Sequence, residues 1–268
     1  MIARLWTRAV SGVLVSVIVV MCLAETGRGA QPNWRPVPRT TWQWQLSGTV
    51  DTSVDAQLYD IDLFDTPPET IDSLHAAGRQ VVCSFSAGSY EIRRPDSERF
   101  PRRVIGASLD PPYASERWID IRTPAIRPIM EARLDLAALK ECDGVEPDHA
   151  DGYEHKTGFK LKASHQRAYN RFVADAAHER GLAVGLKNNA RQAAALEPSF
   201  DFAIAEQCFE FDECSKYAPF VDRGKAVLQV EYDADPAEFC PAAAQLGFSA
   251  ILKRIDVGIP RVPCPTTG

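Results

Sequence analysis

The 268-residue sequence predicts an α/β fold, a (β/α)8 TIM barrel whose first unit is degenerate. Three observations carry this: eight short apolar runs in series, helical patterns between most of them, and a polar residue closing nearly every run. The runs are "TWQWQL" (41–46), "AQLYDIDLF" (56–64), "QVVCSFSAG" (80–88), "DGVEPDH" (143–149), "LAVGLKN" (182–188), "FAIAEQC" (202–208), "AVLQVEY" (226–232) and "SAILKRI" (249–255). Too few residues separate the first two runs for a good helix, hence the degenerate first unit.

The intervening helices have start and stop signals. "PETIDSLHAAG" ends on Gly78, "IRPIMEARLDLAALKE" follows the long third loop, and "SHQRAYNRFVADAAHERG" has Ser164 as its expected cap and Gly181 as its stop. "DPAEFCPAAAQLG" closes the series at Gly247. An open doubly wound sheet is the competing architecture, but no glycine-rich phosphate loop opens any helix.

Composition bounds the function. A chain 45% hydrophobic and 25% charged can bury a sizeable core, and its net charge of −6 argues against a nucleic-acid partner. Arg4 and Arg8 precede an apolar run from Ala9 to Ala24, the layout of a secretory signal. We expect residues 1–30 to comprise that signal and the start of a linker, 31–40 the rest of the linker, and 41–268 the barrel. The protein is then secreted, with no stable membrane insertion after cleavage; an uncleaved anchor is the alternative, for which the run is short.

Export gives the six later cysteines a role. Cys208–Cys214 is the favoured bridge and Cys240–Cys264 the next, whereas Cys83 and Cys142 read as buried free thiols. Zinc at Cys208 and Cys214 competes, but the five-residue gap fits no usual ligand spacing.

Barrel active sites form at the C-terminal ends of the strands. Those ends carry Asp60 and Asp62, Ser84 and Ser86, Glu146 and Asp148, Lys187 and Asn188, Glu206 and Gln207, Glu231 and Tyr232, and Lys253. Strand alternation puts Glu146 and Asp148 on one face, and Asp60 and Asp62 likewise. A buried carboxylate is costly without a partner, so such a row points to chemistry. No GxSxG elbow and no HExxH pair is present. A metal on Asp148, His149 and Asp151 is conceivable, but the expected site needs neither metal nor cofactor. Paired carboxylates with aromatics nearby fit glycoside hydrolysis, and Trp42, Trp44, Tyr90, Tyr153 and Tyr232 offer faces for sugar rings.

The stretches "WQWQLSG", "YDIDLFD", "SFSAGSYEIRRPD", "WIDIR", "CDGVEPDHADGY", "GLKN", "EQC" and "VEYD" in this order give the chain a resemblance to glycoside hydrolase family 114, the endo-α-1,4-polygalactosaminidases. The resemblance spans roughly residues 41–265. It implies a (β/α)8 barrel that cleaves α-1,4-linked galactosamine polymers with retention, Asp148 being the nucleophile and Glu206 the acid/base. Asp62, Glu146, Asp151, Lys187, Glu231, Tyr232, Trp42 and Tyr90 are expected to bind substrate; Glu146 is also the rival nucleophile and, paired with Lys187, a structural candidate. His149 stands where the family pattern leads us to expect asparagine, and Ser84 where it leads us to expect tyrosine. The expected partner is a galactosamine-containing polysaccharide, met by a monomer. Competing functions are another α-glycosidase specificity and a carbohydrate-binding barrel that has lost catalysis.

Overall fold

The computed structural model describes residues 32–111 and 113–265, so the expected signal lies outside the described residues. Eight parallel strands follow one another around a barrel: β1 (Trp42–Gln45), β2 (Leu58–Asp62), β3 (Gln80–Ser86), β4 (Gly144–Asp148), β5 (Ala183–Lys187), β6 (Phe202–Glu206), β7 (Val227–Glu231) and β8 (Ser249–Lys253). Each pairs with its sequence neighbour, Ser84 lying opposite Glu146 and Ser86 opposite Asp148. No helix connects β1 to β2.

Closure uses a ninth strand that the apolar pattern did not announce. Residues Arg261–Pro263 run antiparallel to β8, and the Arg261 guanidinium donates to the Trp42 carbonyl at 2.8 Å on the β1 side. Leu46 N also donates to Val257 O at 3.0 Å, and Gln43 Nε2 to Ile259 O at 2.8 Å. Residues 254–263 therefore fill the seam between the first and last parallel strands.

Six α-helices lie among the connections: α1 (Pro68–Ala76), α2 (Arg127–Leu139), α3 (Ala163–His178), α4 (Ala193–Leu196), α5 (Ala218–Asp222) and α6 (Pro236–Leu246). Prolines in the first turn start α1, α2 and α6. Asp235 caps α6 through Ala237 N at 2.9 Å, and Gly247 ends it at φ +74°. The expected Ser164 cap is corrected: Lys162 is the cap residue of α3, and its N–H donates to His165 Nδ1 at 3.2 Å.

Two apolar layers result. Val81, Val145, Val184, Leu186, Ala203 and Val227 face outward onto helices bearing Ile71, Leu74, Ile129, Leu134 and Val173. Trp42, Leu58, Val82, Phe202, Ile204, Leu228 and Val230 fill the barrel interior, against which Trp34 also packs. Residues 32–40 contain neither helix nor strand.

All six later cysteines are bridged, as Cys83–Cys142, Cys208–Cys214 and Cys240–Cys264. The expectation of free thiols at Cys83 and Cys142 is corrected. Asp143 N donates to Val81 O at 2.8 Å, which brings the entry to β4 beside β3 and sets the two Cα atoms 6.0 Å apart. Among the described residues no helix is long and apolar enough to cross a membrane.

The long β3–β4 connection builds its own small sheet, Ser89–Tyr90 and Ile105–Ser108 flanking Arg117–Ile119. The buried Arg133 of α2 fastens it, reaching Asp96 at 2.8 and 3.0 Å and the carbonyl of Ser86 at 2.5 Å. Gly88 permits the closest approach, since a Cβ there would stand 1.9 Å from the carbonyl oxygen of His149. This attachment folds the connection over the end of the barrel where β4 finishes.

Candidate active site

A cleft of about 630 Å³ opens at the C-terminal end of the strands, between the small sheet and the residues after β8. Eight acidic side chains line it against Arg93, Arg94 and Lys187, with Trp44 as an aromatic wall.

Lys187 organises the centre. Strand alternation turns it inward from β5, where its ammonium lies 2.8 Å from Glu146, 3.3 Å from Asp148 and 3.1 Å from Glu206. Its Nζ also sits 4.5 Å from the Trp44 ring centroid. Burial works against the charge, but Asp148, Glu146 and Glu206 outweigh it and raise the Lys187 pKa well above the ordinary value. Because one nitrogen contacts Asp148 Oδ1 at 3.3 Å and Glu206 Oε2 at 3.1 Å, these oxygens are at most 6.4 Å apart.

Asp148 is held as a carboxylate. Burial alone would raise it, yet attraction to His149 and Lys187, with hydrogen bonds from His149 N and Lys187, holds it down at about 2. His149 N donates to Oδ1 at 2.7 Å, and His149 Nδ1 lies 3.5 Å from Oδ2. The imidazole meets Ser86 at 3.1 Å, Ser86 meets Ser89 at 2.5 Å, and Ser89 donates to Glu116 at 2.5 Å. Trp118 packs edge-on against His149, their centroids 5.6 Å apart.

Glu206 is fixed from several sides. Asn188 donates to Oε2 at 3.0 Å and accepts from Glu206 N at 3.0 Å, while the Tyr232 hydroxyl donates to Oε1. Burial first, and then the charge of Glu206, raises the Tyr232 pKa, so this hydroxyl stays a donor. His149, Asn188 and Gln207, immediately after β4, β5 and β6, all have positive φ. Such backbone is costly for these residues and turns the chain sharply away at the three strand ends that carry the charged centre.

Below lies an inaccessible layer. Glu146 is fully buried and accepts from Trp44 Nε1 at 3.1 Å. Asp60 is also fully buried, and burial followed by the Glu146 charge raises its pKa well above the ordinary carboxylate value. Burial raises the Glu146 pKa as well, against the attraction of Lys187.

Of the expected residues, Asp148, Glu206, Lys187, Asp62 and Asp151 share the cleft. Asp62 is tied to Arg94 at 2.5 and 2.9 Å, and Asp151 to His155 at 3.3 Å. Tyr232 touches the cleft through Glu206 without lining it. Four placements are corrected. Glu146 is sealed under Lys187 and does not line the cleft. Trp42 is a core residue, 1% exposed, whose Nε1 donates to Ser249 O. Tyr90 packs edge-on against Phe100, their centroids 5.6 Å apart. Glu231 faces outward, opposite to Leu228 and Val230, and accepts from Phe209 N at 2.9 Å and Gln229 Nε2 at 2.8 Å. Glu231 shares its corner with Cys208 and Cys214, whose bridge rules out the zinc alternative.

Tyr113, Glu116, Trp118 and His155 line the cleft without having been singled out for it. "WIDIR" was the one signal near them, and it identified a stretch rather than a contact.

The chain matches the glycoside-hydrolase family GH114 over residues 24–267. Among solved structures it is similar to Aspergillus fumigatus Ega3 in complex with galactosamine, at 37% identity and TM-score 0.83, covering 89% of this chain and 100% of that one. The glycoside hydrolase domain of PelA from Pseudomonas aeruginosa shares the fold at 11% identity and TM-score 0.63, covering 83% of this chain and 97% of that one. No curated protein matches. With the family matched across nearly the whole chain and a cleft centred on paired carboxylates, this protein belongs to glycoside hydrolase family GH114.

Proposed function

We propose that this protein is a secreted, retaining endo-hydrolase of α-1,4-linked galactosamine-rich polysaccharide, with Asp148 as nucleophile and Glu206 as acid/base. The carrying observation is the shared ammonium of Lys187, which keeps the Asp148 and Glu206 oxygens within 6.4 Å. A separation under that limit accommodates the roughly 5–5.5 Å of retaining pairs.

Asp148 attacks the anomeric carbon while Glu206 gives its proton to the departing glycosidic oxygen. The C–O bond to the leaving chain breaks as the Asp148 ester forms. Water then loses a proton to Glu206, attacks the same carbon and frees Asp148. The acid-rich lining suits a substrate carrying ammonium groups, and similarity to a structure holding galactosamine agrees with it. The three disulfides fit an oxidising compartment, which supports export.

Incubation with deacetylated and acetylated galactosamine polymers tests this reading. Released oligomers with the α-anomer first support it. The β-anomer first would recast Asp148 as a general base, and no release from either polymer would remove the substrate.

A further inference from the structure

We propose that the smaller hollow beside Glu206 receives the leaving side of the polysaccharide, and that Phe211 is the platform for the first sugar beyond the cleaved bond. The proposal rests on the retaining assignment of Asp148 and Glu206.

The hollow, about 190 Å³, shares Asp151, Asn188 and Glu206 with the main cleft but does not touch Asp148. In a displacement by two carboxylates, the nucleophile meets the anomeric carbon of the retained sugar, and the acid/base meets the oxygen joining it to the leaving one. A chamber touching both carboxylates holds the retained sugar. One touching only the acid/base extends beyond the departing oxygen.

The lining fits a sugar. Phe211 forms part of the hollow and is 60% exposed. Single exposed apolar residues are ordinary, but this one stands on a loop fixed in several ways. The Cys208–Cys214 bridge closes the loop, Phe209 N is held by Glu231, and Phe211 N donates to Gln207 O at 3.0 Å. A ring held in place loses little freedom when a sugar face stacks on it. Asn189, 3% exposed, lines the same hollow, with its Oδ1 lacking a hydrogen-bond partner. Its Nδ2 donates to the Ala150 carbonyl at 3.0 Å, which fixes the side chain at the floor of the hollow. Glu154, paired with Arg191 at 3.4 Å, and Glu213, paired with Lys216 at 2.5 Å, complete a polar wall able to meet sugar hydroxyls.

The test compares galactosamine oligosaccharides with an α-galactosaminyl oligosaccharide fluoride, whose leaving group needs no sugar site. Phe211→Ala should lower kcat/KM on the oligosaccharides roughly five- to tenfold, the size of one aromatic contact. The fluoride should be hydrolysed within about twofold of the wild-type rate, and Phe211→Trp should restore oligosaccharide cleavage. Equal loss on both substrates, or no loss on either, overturns the proposal while leaving the retaining reading intact. A wild-type protein that forms the β-anomer, or cleaves neither substrate, overturns both.

Discussion

Replacing Lys187 by methionine keeps most of the side-chain volume and removes only the charge that three carboxylates share. Glu146, fully buried and 2.8 Å from the ammonium, is then stranded. Removing one member of a buried pair costs about 3–5 kcal/mol. For a domain of this size each kcal/mol is worth about 2–4 °C, so Lys187→Met should melt roughly 6–20 °C below wild type. The loss has a defined pH dependence. The Lys187 pKa is raised on folding, so its contribution is complete at neutral pH and is lost only as pH rises through that raised value. Burial already raises the Glu146 pKa in the native protein against the attraction of Lys187; without that attraction it rises further, so the penalty is largest at high pH and shrinks as pH falls toward the unfolded value. Melting temperatures of both proteins at pH 5 and pH 8 should therefore show a wider gap at pH 8. Turnover should fall by orders of magnitude, because Asp148 and Glu206 lose their common anchor. A variant melting within about 2 °C of wild type at both pH values would refute the placement of this charge at the centre of the barrel.

Asp148→Asn and Glu206→Gln should each abolish turnover with circular dichroism unchanged; activity surviving in Asp148→Asn but lost in Glu146→Gln would move the nucleophile to Glu146. His149→Asn should remain active near pH 7, and its acid inactivation, followed as kcat/KM below pH 4, should begin at higher pH than in wild type. His149 helps hold Asp148 down at about 2, so this ionised carboxyl is lost only as pH falls through that value, and an unchanged profile would contradict the coupling. Peptide mapping without reduction should recover all three bridges. Loop closure over 59 residues predicts a loss of about 4 kcal/mol for Cys83→Ala with Cys142→Ala, against about 2 kcal/mol for the six-residue Cys208–Cys214 loop, and denaturant melts giving the reverse order would count against that account.

The barrel was legible because each strand is a short apolar run with a polar end, a pattern that survives without tertiary knowledge. Glu146, Asp148, Lys187 and Glu206 could be read as one group for the same reason. Facing was harder. Barrel strands are covered on both sides, so "VLQVE" has apolar residues on each face, and nothing local says that Leu228 and Val230 point inward while Glu231 points out. The same ambiguity disguised Cys83, which belongs to the outer layer where Cys142 can reach it. Depth was invisible too. Trp42 and Trp44 point the same way, but only Trp44 reaches the cleft. Glu116 and Trp118 reach the site through the Arg133–Asp96 pair and the Gly88 contact, which join segments far apart in the chain.

The seam strand has a consequence for how this protein acquires its shape. A nascent chain made only as far as Lys253 would lack the carbonyls of Val257 and Ile259 that β1 contacts, the Arg261 guanidinium on Trp42 and the cysteine that bridges to Cys240. Its first and last parallel strands would stay open-edged, and the interior around Trp42 and Trp44 would stay wet. Closure therefore depends on the far end of the barrel, where the eleven residues 254–264 carry all of these contacts. Until that segment is in place, the open strand edges leave the barrel unable to close.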